Sequence, residues 1–152
     1  MLVAHWLGML HRSLDATADA FRRVAEAHGG EPDVEDTCRY LAVLADRQAA
    51  ELRPFVDRYG EEAGDEPDRL HSELFTGTRE GPIALLRDLH DLFLMASECD
   101  IAWTLIGQAA QGLRDAALAA TVSACEGDTH RQIAWLRTRM KQAAPQVLVV
   151  VR

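Results

Sequence analysis

The sequence predicts an all-α protein: four long helices in one bundle, with a single long crossover between the second and third. Three observations predict it. Ala and Leu dominate the apolar residues while Val and Ile are sparse, which favours helix over strand. Four long segments repeat apolar residues alternately three and four positions apart, the helical period. The connections between them run short, long, short, so helices one and two form one hairpin and helices three and four another. At 152 residues the chain suits one domain. Residues 1–145 make up the bundle domain and 146–152 an apolar, extended C-terminal tail.

The first helix is expected over residues 2–28, with Val3, Leu7, Leu10, Leu14, Thr17, Phe21, Val24 and His28 on one stripe. Gly29-Gly30 ends it, and Pro32 suits the first turn of the next helix. The second helix is expected over residues 33–59, with the stripe Val34, Thr37, Leu41, Leu44, Gln48, Leu52, Phe55 and Tyr59; Pro54 should bend its last turn. Residues 60–81 form the crossover. It holds an acidic stretch at 61–68 and a short helix at about 67–75, and it is long enough to run the length of a bundle.

The third helix follows Gly81-Pro82 and runs to about Ala110. It is apolar over most of its circumference. Arg87, Asp88, Asp91 and Glu98 share one narrow stripe that reads as its solvated edge. Gly112 makes the next turn and Asp115 is the expected N-cap of the fourth helix, which runs to about Ala143. Its stripe is Leu118, Val122, Cys125, Thr129, Ile133, Leu136 and Met140. Pro145 is expected to stop it.

The charge balance narrows the function. Sixteen Lys and Arg against 24 Asp and Glu give a net charge of -8, which argues against a nucleic-acid or anionic-membrane binder. No apolar run is long enough to cross a membrane, and the N-terminus lacks the basic region of a signal peptide. Three cysteines, with no CxxC pair, suggest neither a disulfide framework nor a zinc ribbon and point to a cytoplasmic protein. Cys99 and Cys125 fall at one level of the third and fourth helices, and two buried free thiols are expected there. His11 and Asp15 read as an ion pair one turn apart. Asp46 and Glu51 read as solvated. Trp6, Trp103 and Trp135 read as core or interface anchors.

The middles of the four stripes hold Thr17, Gln48, Asp100 and Thr129. Asp100 lies opposite the charged stripe of its helix and is expected to be buried, with Gln48 or Thr129 as hydrogen-bond donor. Glu126 flanks the fourth stripe, and His130 shares its side one turn on. The expectation is a hydrogen-bonded polar layer that fixes register. The alternative is a metal site of Asp100, Glu126 and His130.

The topology and several phrases resemble the ferritin-like superfamily. Residues 44–52, LADRQAAEL, resemble its second helix, with Arg47 and Ala50 where a Glu-x-x-His pair would stand. Residues 125–140, CEGDTHRQIAWLRTRM, resemble its fourth helix, with Glu126 at a ligand glutamate and Thr129 at the position of its histidine. More narrowly, Met9-Leu10-His11-Arg12, residues 107–115 (GQAAQGLRD) and Ala144-Pro145-Gln146 resemble a group of bacterial ferritin-like proteins of unassigned activity. The resemblance implies the ferritin-like bundle. Such metal proteins carry two Glu and two Glu-x-x-His pairs at mid-bundle, and this chain contains no Glu-x-x-His.

The reading that follows is a non-catalytic binding or structural-interaction protein with no catalytic residues and no cofactor. The mostly apolar third helix and the Val-rich tail point to a homodimer. The alternative is an iron- or manganese-dependent oxidoreductase with Asp100, Glu126 and His130 as a reduced ligand set. A third reading is a subunit that docks on a larger complex through the tail or the acidic crossover.

Overall fold

A computed structural model describes residues 1–60, 75 and 77–150. Helix α1 spans Leu2–Ala27, α2 Pro32–Tyr59, α3 Ala84–Gly112 and α4 Ala116–Pro145. Four helices in this order match the expected elements. The expected short helix and acidic stretch of the crossover lie outside the described residues, apart from Phe75.

Side-chain pairs set the helix directions. Thr17 meets Cys99 and His28 meets Asp88, so α1 and α3 run antiparallel. Arg47 meets Asp128 and Arg58 meets Asp115, so α2 and α4 do too. Packing is most extensive within the pairs α1–α2 and α3–α4, with α1–α3 and α2–α4 joining them. Helices α2 and α3 therefore point the same way and occupy diagonal corners. A 28-residue helix is about 42 Å long, and the chain between them must cover that length. This is the physical reason for the long middle connection.

The turns follow their local chemistry. Pro32 opens α2, where a missing N–H costs nothing. Asp115 caps α4, its carboxylate accepting from Leu118 N at 3.0 Å, as expected. The end of α3 differs from the expectation. Gly112 is the last helical residue, and the left-handed position falls on Arg114 (φ 54°). Asp115 N donates to Ala110 O at 2.9 Å and Arg114 N to Gln111 O at 3.1 Å, the hydrogen-bond pattern that usually places glycine at the left-handed residue.

The C-terminus also differs. Pro145 does not stop the helix, and Gln146–Val150, expected to be extended, form a π-helical turn. Helix α2 likewise continues through Pro54.

The core divides in two. One half gathers residues such as Leu10, Leu14, Leu52, Trp103, Ile106 and Leu118; the other gathers Phe21, Val24, Leu44, Leu89, Leu92 and Leu136. Between them lie Thr17, Gln48 and Thr129, all buried. Among the described residues no helix is long and apolar enough to cross a membrane.

Candidate functional site

Three of the four expected mid-bundle residues form the polar layer. Gln48 on α2 is its hub: its Oε1 accepts from Trp103 Nε1 and from Thr129 Oγ1, each at 3.2 Å. Thr17 Oγ1 donates to Ser13 O at 2.7 Å and touches Cys99 Sγ at 3.8 Å. One turn along α4, Gln132 Nε2 donates to Leu41 O at 3.0 Å. The buried Gln48 Nε2 has no hydrogen-bond partner. An amide, two hydroxyls, an indole and a thiol occupy the level where a di-iron centre would need carboxylates and histidines. These residues do not fit that group.

Asp100 is not part of the layer. It lies on the α3–α4 flank, its side chain 31% exposed, with Oδ1 at 2.9 Å from Nε2 of the exposed His130. That contact lacks hydrogen-bond alignment, so it is an ion pair in reach but not in line. Glu126 is half-buried on the preceding turn of α4. Among the described residues no group of three or more His, Cys, Asp and Glu side chains is placed to hold a metal ion.

The buried carboxylates are Asp88 and Asp91, whose spacing on the helix predicts a solvated edge. Helix α3 is turned by roughly 100° from the rotation that its charged stripe predicts, at 100° per residue. The turn carries Asp88 and Asp91 inward, Asp100 to the flank, and Ile101 and Leu105 to the surface. Its cause lies in the chain's own partners for the two carboxylates. Asp88 Oδ2 is 2.8 Å from His28 Nε2, and Asp88 Oδ1 is 3.1 Å from Arg79 Nη1. The Arg79 backbone N–H donates to both Asp88 oxygens, at 3.2 and 3.3 Å. Arg79 Nη2 reaches Asp91 Oδ2 at 2.8 Å, and His90 Nδ1 lies 3.4 Å from Asp91 Oδ1. Burial alone would lower the Arg79 pKa, but the Asp91 and Asp88 carboxylates outweigh it and raise it above the usual guanidinium range. With both charges paired and both Asp88 oxygens hydrogen-bonded, burial becomes tolerable, although Asp91 Oδ2 holds Arg79 as an ion pair without hydrogen-bond alignment. A polar cleft of about 340 Å³ opens beside this knot, lined by His28, Glu31, Arg79 and Glu80 among others. The sequence signal for the knot was the presence of His28 at the end of the first apolar stripe.

All three cysteines are buried and free. Burial pushes each thiol up to about 12. Cys125 lies 3.5 Å from Glu51 Oε2, which raises its pKa further. None has the activated thiolate of a nucleophile. Trp103 is fully buried, while Trp6 and Trp135 pack at the edges of the core.

Comparison with family models, curated proteins and solved structures finds no match to this chain.

Proposed function

We propose that this chain is a ferritin-like bundle whose centre serves packing and register, and that it works by binding as a homodimer through α3. The observation that carries the reading is the Gln48–Trp103–Thr129 layer. Neutral groups that already bond to one another stand where the superfamily carries metal ligands, and a hydrogen-bonded polar layer of this kind specifies register. The test is elemental analysis of protein produced in iron- and manganese-supplemented medium and purified without chelator. The expected result is far less than one metal per chain. Near-stoichiometric iron or manganese overturns the reading.

One observation favours a second reading. The Asp100–His130 contact at 2.9 Å supports a metal-dependent oxidoreductase in which these two side chains are the protein ligands and water completes the shell, with Glu126 one turn before His130 outside the coordinating group. Calorimetric titration with manganese or ferrous ion tests it. Tight binding that His130→Ala abolishes would establish the site, and equal heats for both proteins would remove it.

A further inference from the structure

His28 stands between the carboxylate knot and the open cleft beside it. Its Nε2 lies 2.8 Å from Asp88 Oδ2, and its ring borders the cleft of about 340 Å³. A carboxylate only accepts, so in the neutral ring the proton sits on Nε2 and Nδ1 is an acceptor. Asp88 is fully buried and is fixed in turn by Arg79, whose backbone N–H and Nη1 both donate to it. The ring cannot turn over without breaking its contact with Asp88.

The cleft lies where the end of α1, the first turn of the chain, the last residues of the crossover and the start of α3 meet. Arg79 turns its backbone N–H and Nη1 to Asp88 and its Nη2 to Asp91. Glu31, 53% exposed, holds Arg139 Nη2 through Oε2 at 3.3 Å and keeps its other oxygen for a ligand. Glu80 is exposed. What His28, Glu31 and Glu80 bring to the cleft is therefore acceptors, and the Arg79 and Arg139 guanidinium groups are outnumbered by Asp88, Asp91, Glu31 and Glu80. The last turn of α1 carries no basic residue, so the negative end of its dipole faces the cleft uncompensated at Ala27. The positive end of the α3 dipole also borders the cleft, with Asp88 and Asp91 in the second turn to offset it. Pro82, Ala84 and Leu85 supply an apolar wall. A cleft of this size suits a whole small molecule, and the matching one has several N–H donors, a positive charge and a short apolar body.

We propose that this cleft binds a small primary alkylammonium ion. The three N–H groups of the ammonium donate to His28 Nδ1 and to the Glu31 and Glu80 carboxylates, one donor for each acceptor, and the carbon chain lies against Pro82 and Leu85. The site goes beyond the packing and homodimer reading above. It shares no residue with the mid-bundle layer or with the Asp100–His130 flank, so it stands or falls apart from both.

The test is calorimetric titration with butylammonium chloride, set against sodium butyrate as an anion of similar size, at one ionic strength. Butylammonium should bind saturably, one per chain, and butyrate should not bind. Glu80→Gln, at an exposed position, should raise the butylammonium dissociation constant about tenfold with an unchanged melting temperature. His28→Lys keeps a donor for Asp88 and removes the acceptor, and should weaken binding at least about tenfold with unchanged circular dichroism. In nitrogen NMR spectra the His28 Nδ1 resonance should move with butylammonium and stay still with butyrate. N-acetyl-lysine methylamide carries the same ammonium on a peptide backbone and should bind more weakly than butylammonium; tighter binding would assign the cleft to a protein side chain and overturn the small-molecule site. Saturable binding of butyrate, no binding of butylammonium, or equal butylammonium affinity in the parent and Glu80→Gln would each overturn the proposal.

Discussion

His28 Nε2 and Asp88 Oδ2 lie 2.8 Å apart, sixty residues apart in sequence, and fasten the turn of the first hairpin to the start of the second. Asp88 is fully buried and His28 nearly so. Arg79 completes the knot by holding Asp88 and Asp91 from the last residues of the crossover.

Asp88→Ala should therefore destabilise the protein by about 1–3 kcal/mol, since it leaves the His28 ring and the Arg79 backbone N–H without their acceptor while Arg79 keeps Asp91. Urea denaturation with a constant m-value checks this. A change under about 0.5 kcal/mol would show that the knot contributes no stability. Asp46→Ala, which removes an exposed partner of Arg22, is the control and should cost about 0–1 kcal/mol.

Gln48→Leu should cost about 2–4 kcal/mol, because it leaves the buried Trp103 indole N–H and Thr129 hydroxyl without their acceptor. Adding Thr129→Val should recover part of the loss, as one stranded donor disappears. Thermal denaturation of the two variants measures the coupling. Strict additivity would mean that the two side chains do not interact.

The cysteines give a pH dependence with a definite sign. Their thiols are raised from an ordinary value of 9.0 to about 12 by burial. Below pH 9 both folded and unfolded chains keep the proton, and this contribution to stability is fully present. Between pH 9 and about 12 only the unfolded chain ionises, so stability falls as pH rises. At pH 8 a thiol reagent should label no cysteine in the native protein and all three in denaturant. Rapid native labelling would show that burial is not what the fold provides.

Arg114→Gly should stabilise the protein by about 1 kcal/mol, because the φ of 54° at this turn strains any residue with a Cβ. The melting temperature reads this directly. A lower melting temperature would mean that the Arg114 side chain contributes more than its backbone strain costs.

Much of this fold is legible in the residues, and the failures share one cause. The stripes of α1 and α2 are buried nearly as their spacing predicts because each helix has one apolar face, leaving a single rotation that hides it. Helix α3 is apolar nearly all round, so its spacing leaves the rotation undetermined. The outcome was set by His28 and by Arg79, which approach from other parts of the chain. That turn put Asp100 on the flank and Asp88 in the interior, and neither result follows from periodicity within the helix. The polar layer was legible because Thr17, Gln48 and Thr129 interrupt stripes that are otherwise apolar.

The diagonal placement of α2 and α3 has a consequence for how the chain acquires its structure. Contacts within each hairpin join residues nearer in sequence than contacts between the hairpins do, so α1–α2 and α3–α4 can each zip up from their own turn before they dock. The slow event is their docking, which brings His28 to Asp88 and Gln48 to Thr129 at once. Each hairpin then behaves as a separate cooperative unit, and native-state hydrogen exchange should resolve two levels of protection along the chain. A chain cut within its long middle connection should reassemble from its two halves, because each half carries a complete apolar face that only the other covers.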